Sequence, residues 1–211
     1  AGSSWRARSR INVTGMAERF IIGRDAQTAI PALRALRKDS LAFTVDLLGE
    51  ATVSDAEAQV YQARYMDLVD RLSDEVTRWK ADALLDGSHA GAIPIANVSI
   101  KVSAMGNFLD PVDPEGSVER LRRLVLPLLL RAKERNVFAN LDLEQWAIHG
   151  ITFDLFESLA LAPGLRDWPH LGVAVQAYLK ESRQEVERII ALAKKRGAPI
   201  TVRLVKGAYW E

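Results

Sequence analysis

The chain has no cysteine. That removes disulfides, thiol nucleophiles and thiolate metal sites together. Its three histidines, His89, His149 and His170, are scattered and show no metal-ligand spacing. An excess of one charge is missing too: 28 Lys and Arg against 27 Asp and Glu leave +1, so no global field attracts nucleic acid. The local cluster Arg6, Arg8 and Arg10 lies in a Gly/Ser-containing start and reads as a solvated tail. No run approaches the ~20 apolar residues of a membrane span, and no secretory signal pattern opens the chain. A cytoplasmic protein is the default expectation. What is there, 48% hydrophobic and 26% charged residues over 211 positions, suits a folded protein with a sizeable core.

Apolar runs alternate with helical patterns. Leu41–Leu48 reads as a first strand, Ile95–Ser103 as a second, Val137–Leu143 as a third, Leu171–Ala177 as a fourth and Ile200–Val205 as a fifth. Between them, Ser54-Asp-Ala-Glu57 is a capping box that launches a long helix with Val60, Tyr61, Leu68, Val69, Leu72, Val76 and Trp79 near helical spacing. Asp113-Pro114 fits an N-cap followed by proline at the first helical position. Thr152 is placed to cap a helix over 153–161. Ser182-Arg-Gln-Glu185 is a second capping box, with Val186, Ile189, Ile190 and Ala193 on one face and Gly197 as the stop.

Strand–helix alternation implies βαβ units and a parallel sheet, either an open doubly wound sheet or part of a closed barrel. No Gly-x-Gly-x-x-Gly follows the first strand, which weighs against a dinucleotide-binding sheet. Asp46, Lys101, Asp142, Gln176 and Arg203 each fall late in a different strand, and polar groups at strand C-termini are how a (β/α)8 barrel builds its active site. Each has a structural alternative. Asp46 and Asp142 fit turn caps, Lys101 with Asp142 fits a buried ion pair, and Gln176 fits a side chain satisfied by backbone. The last stretch, Val202-Arg-Leu-Val-Lys-Gly-Ala-Tyr-Trp210, adds cations where a strand should bury hydrocarbon, then a glycine and aromatics. That pattern suits the wall of an anionic, ring-containing cofactor site.

The segments Ala42–Ala51, Asn97–Ala104, Asp110–Gly116, Asn140–Glu144, Val175–Tyr178 and Val202–Trp210 together resemble the proline dehydrogenase family, and within it the dehydrogenase domain of bifunctional proline utilisation A proteins. The resemblance runs from about Phe20 to the end. It implies an α/β fold of the (β/α)8 TIM-barrel type, FAD at the strand C-termini, oxidation of L-proline to Δ1-pyrroline-5-carboxylate, and transfer of electrons to a membrane quinone. Peripheral association with the inner membrane would follow in the full protein. Residues 1–39 then form an N-terminal tail and helical segment, and residues 40–211 the first part of the barrel, about five of eight strands.

Carried over by position, the resemblance puts Gln176 and Arg203 on the flavin ring, and Val205, Lys206, Gly207, Ala208 and Trp210 along the cofactor. Lys206 faces the pyrophosphate in that assignment, and Trp210 packs on a ring. Lys101 pairs with the proline carboxylate and Asp142 holds it in place. Glu50 is the gating carboxylate, with Asp46 supporting it. The resemblance also places three further strands and a substrate-clamping arginine pair beyond Glu211, so the sequence reads as part of a longer enzyme. Two other readings stay open. One is a barrel enzyme with Lys101 or Lys206 as a Schiff-base lysine; the other is an inactive fragment or binding module.

Overall fold

The computed structural model describes residues 21–49, 52–89, 91–106 and 109–207. The chain divides into two compact units, Ala1–Ala42 and Phe43–Glu211. In the first, helix α1 (Ala26–Lys38) starts at Asp25, whose carboxylate accepts from the Thr28 N–H at 2.8 Å while the Thr28 hydroxyl accepts from the Asp25 N–H at 3.1 Å. This reciprocal cap satisfies donors that a helix start leaves unpaired. Arg37 and Lys38 complement the negative end of the helix dipole.

The second unit alternates strand and helix. Strand β1 (Val45–Asp46) leads to α2 (Asp55–Val76), then to a small hairpin, β2 (Gly87–Ser88) and β3 (Gly91–Ala92). Strand β4 (Asn97–Ile100) passes through a 3-10 turn (Val102–Met105) to α3 (Pro114–Glu134), and β5 (Phe138–Leu141) through a second one (Trp146–Ile148) to α4 (His149–Ala160). Strand β6 (Leu171–Gln176), α5 (Ser182–Arg196) and β7 (Thr201–Val205) complete the series. The main sheet is wholly parallel, in the order β1-β4-β5-β6-β7, so neighbours along the chain are neighbours in space. β5 and β6 are buried on both faces, as central parallel strands require. No helix among the described residues is long and apolar enough to cross a membrane.

Several local expectations change. The first strand shrinks to Val45–Asp46, because Leu41 and Leu48 turn out to solvent. The second ends at Ile100, where the chain tightens into the 3-10 turn. In α2 the buried stripe is Tyr65, Leu68, Val69, Leu72 and Val76, whereas Val60 points to water. Its box is only half formed: the Ser54 hydroxyl accepts from the Glu57 N–H at 3.3 Å, but Glu57 reaches back to the Val53 N–H instead of that of Ser54. Asp113 does cap α3, accepting from the Gly116 N–H at 3.0 Å. Thr152 caps nothing, since α4 already begins at His149 and the hydroxyl donates to the Ile148 carbonyl at 3.0 Å. Ser182 likewise lies inside α5, its hydroxyl turned to the Ala177 carbonyl. The buried face of α5 is Glu185, Ile189, Leu192 and Arg196, with Ile190 exposed. Gly197 stops that helix at φ 75°, a left-handed conformation that glycine adopts without a Cβ clash.

Arg196, a residue only 4% exposed, ends that face. It donates to the carbonyls of Leu165 (2.7 Å), Trp168 (2.8 Å), Arg166 (3.1 Å) and Pro199 (3.4 Å), stitching the α4–β6 connection to the end of α5. Arg166 answers with a bond to the Lys195 carbonyl at 2.9 Å. Arg196→Met leaves those carbonyls unpaired and is expected to cost about 2–3 kcal/mol. Arg188→Met, which removes only half-exposed pairs with Asp154 and Glu157, is expected to cost under ~1 kcal/mol. Urea unfolding of the full-length protein checks both values.

Candidate active site

The parallel register lines up one polar row. Asp46 pairs with Ser99, Ser99 with Asn140, and Asn140 with Gly172. Side chains alternate along a strand, so the same face continues through Lys101, through Asp142 and Glu144, and through Ala174 and Gln176. Gly172 is needed there: a Cβ would lie 2.8 Å from Asn140 Oδ1 and 3.0 Å from the Thr201 carbonyl. Asp46 and Gln176 are the last residues of their strands, and Lys101 and Asp142 lie one step beyond theirs. Arg203 differs from its expected place, sitting mid-strand in β7, level with Ala174.

These elements bring Asp46, Lys101, Asp142 and Arg203 together. The Lys101 ammonium lies 2.8 Å from Asp46 Oδ2, 3.6 Å from Glu144 Oε1 and 3.8 Å from Asp142 Oδ2. Its near partner is thus Asp46. Asp142 spends its other oxygen elsewhere: Oδ1 accepts from the Ser99 hydroxyl at 2.6 Å, from Asn140 Nδ2 at 3.4 Å and from the Arg203 guanidinium. Arg203 also donates to Ser99 Oγ at 3.1 Å. Burial pulls the Arg203 pKa below its ordinary value, and Asp46 opposes that. Charge-assisted bonds of this kind compensate for the water that a buried carboxylate loses.

Gln176 stands beside this cluster, its Nε2 donating to the Leu143 carbonyl at 3.0 Å. Its Oε1 is buried with no hydrogen-bond partner. Val205 is half-buried, and Lys206 and Gly207 are exposed past the end of β7. Gly207, at φ 155°, lies against Tyr178 so closely that a Cβ would fall 2.5 Å from the ring. Glu50, Ala208, Tyr209 and Trp210 lie outside the described residues.

Sequence reasoning missed Ser99, Asn140, Ser103 and Tyr65, and it gave no site role to Glu144, which lies in the connection between β5 and the 3-10 turn. The Ser103 hydroxyl donates to Glu144 Oε2, and the Tyr65 oxygen accepts from the Lys101 N–H at 3.1 Å. A serine within an apolar strand was the available signal for Ser99.

Residues 29–211 match the model of the family described as proline dehydrogenase. The chain belongs to that family. The bifunctional protein PutA of Escherichia coli K12 is 29% identical over 196 residues, 93% of this chain and 14% of that protein. Proline dehydrogenase of Deinococcus radiodurans is 30% identical over 203 residues, 96% of this chain and 56% of that protein. Among solved structures, proline utilisation A from Bdellovibrio bacteriovorus, inactivated by N-propargylglycine, superposes with a TM-score of 0.94 at 39% identity. That likeness covers 97% of this chain and 21% of the other. The chain therefore spans less than two thirds of each of these proteins.

Outside the cluster, His149 Nε2 lies 2.7 Å from Glu185 Oε1 across α4 and α5, although the two are not aligned for a hydrogen bond. The Trp146 and Phe153 rings flank the imidazole, each at 5.1 Å. Burial holds His149 below its ordinary value of 6.5, with Glu181 pulling the other way, and burial also lowers His170. Below about 6.5 the unfolded chain therefore binds protons that the folded chain refuses, so stability falls as pH drops through that range. Glu185 is raised by burial and then by Glu181, so its contribution has the opposite sign and is lost as pH rises from its ordinary 4.5. The melting temperature of the full-length protein is expected to decline from pH 7 to pH 5. A His149→Gln/His170→Gln variant should show a shallower decline; an identical slope would mean that other groups set it.

Proposed function

We propose that this chain carries the first five strands of a (β/α)8 barrel and that the barrel oxidises L-proline with FAD. In this reading residues 1–39 are an N-terminal segment and residues 40–211 the barrel portion. The observation that carries it is the charged cluster near the strand ends, where Asp142 hydrogen-bonds Ser99 and Arg203 and faces the Lys101 ammonium at 3.8 Å. Family membership supplies the substrate and the flavin; the cluster supplies residues suited to both.

The residues fit the cofactor. Gln176 keeps a buried, unpartnered carbonyl oxygen, an acceptor for a ring N–H. Arg203 uses two nitrogens on Asp142 and Ser99, and a guanidinium has five N–H donors in all. Lys206 stands exposed at the end of β7, placed for a phosphate. FAD, when bound, supplies the acceptor for the two electrons that leave proline. With the flavin bound, Arg203 would supply positive charge to stabilise its reduced form, and Asp142 and Ser99 fix the direction of the guanidinium. Lys101 pairs with the substrate carboxylate, while Asp46, Asp142 and Glu144 hold the ammonium in place. Glu50, Ala208 and Trp210 keep the gating and cofactor roles that the resemblance gives them. The electron acceptor in this reading is a quinone, reached by peripheral contact with the membrane. For Lys101 the Schiff-base alternative is less well supported, because such a lysine works in an apolar or cationic setting and this one is ringed by three carboxylates.

The full-length protein is expected to purify yellow and to take up FAD in spectral titration, with Gln176→Leu weakening uptake about tenfold. A folded protein that takes up no FAD contradicts the proposal. Arg203→Met is expected to lower the limiting rate of proline oxidation about 10²–10³-fold, with a smaller effect on proline affinity. Rapid-mixing measurements at saturating proline separate the two, and an unchanged limiting rate would make Arg203 structural only.

A further inference from the structure

We propose that Tyr65, on α2, is a positioning residue for Lys101, its phenol oxygen supplying the backbone acceptor that the sheet no longer provides at that point. The inference rests on the proline-oxidation reading and concerns a residue that neither the motifs nor the strand pattern singles out. The β4–β5 ladder pairs residues as far as Ile100 with Leu141, and the Asp142 N–H still reaches the Ile100 carbonyl at 2.9 Å. Strand β1 has already ended at Asp46. Lys101 is the next residue, and its N–H donates to Tyr65 at 3.1 Å. That bond holds Lys101 in an extended conformation, φ −85° and ψ 112°, before the chain tightens into the 3-10 turn at Val102. The direction of the Lys101 side chain towards Asp46, Asp142 and Glu144 depends on this backbone step.

The choice of a phenol has an electrostatic reason. Tyr65 has no exposed surface. Burial raises its pKa well above the usual phenol value, with Asp46 and Glu144 adding to the rise and the bond from the Lys101 N–H opposing it, so the oxygen stays neutral. Three carboxylates already face the two cations Lys101 and Arg203. A fourth anion beneath Lys101 would compete with an incoming carboxylate for the ammonium. A neutral acceptor fixes the backbone and leaves that attraction available.

The test uses the full-length holoprotein and calorimetric binding of two probes: cyclopentanecarboxylate, which has the ring and the charge, and cyclopentanecarboxamide, which has the ring alone. Tyr65→Phe is expected to weaken the carboxylate about three- to tenfold and leave the carboxamide within about twofold. Leu72→Ala, on the same helix and away from the cluster, is expected to lower the melting temperature without changing the ratio of the two affinities. Lys101→Met should reduce that ratio more than Tyr65→Phe does. A Tyr65→Phe protein that melts lower but keeps the wild-type ratio, beside a Lys101→Met protein that loses it, overturns the positioning role alone. An unchanged ratio in Lys101→Met overturns the carboxylate reading of Lys101 and the role of Tyr65 with it. If Tyr65→Phe does not fold, 4-fluorophenylalanine at position 65 fills the hydroxyl's space with a far weaker acceptor, and the same outcomes decide.

Discussion

The Asp142 carboxylate is the group on which the site depends. It is nearly buried, and one of its oxygens gathers Ser99, Asn140 and Arg203 from three different strands. Its other oxygen faces Lys101. A carboxylate stripped of water is costly unless such donors surround it. The arrangement therefore fixes three things together: the register of β4 against β5, the direction of Arg203 on β7, and the balance of charge around Lys101. Ser99 is central to this, because its hydroxyl donates to Asp142 and accepts from Arg203.

The parallel, sequential sheet gives that carboxylate its reach. Every strand runs the same way, so every strand end opens on the same face, and residues distant in sequence meet there without long loops. Every residue of β5 and β6 is buried, and the two strands form the centre of the sheet. Arg196 secures the opposite side of the β6 unit by binding four backbone carbonyls. Asp46, Ser99, Asn140 and Arg203 stand within these strands, and Lys101 and Asp142 one residue beyond theirs, which suits groups that must hold a fixed geometry.

Much of this was legible in the sequence. The strand–helix alternation gave all five main strands, and the polar residues near their ends gave Asp46, Lys101, Asp142 and Gln176. What failed was local and has local causes. Thr152 and Ser182 look like caps, but their helices start earlier or use no side-chain cap, so tertiary packing overrode the motif. Val60 and Ile190 fit an apolar stripe by spacing yet face solvent, because spacing marks a face and not its width. Ser99 and Tyr65 escaped notice for a different reason. Their roles arise from partners 36 to 104 residues away, and no local pattern encodes such a pairing. The polar residues near the strand ends pointed to this face; only the side-chain contacts showed that Lys101 lies nearest Asp46 and that Asp142 is shared with Arg203.

In the proposed reading this strand-end face holds flavin and substrate side by side. A crystal structure of the full-length protein with FAD and cyclopentanecarboxylate tests it most directly. Gln176 and Arg203 are expected within about 3.5 Å of the flavin ring, and the Lys101 ammonium about 3 Å from the ligand carboxylate. A flavin bound away from β6 and β7, or a carboxylate held by groups that exclude Lys101, would contradict it.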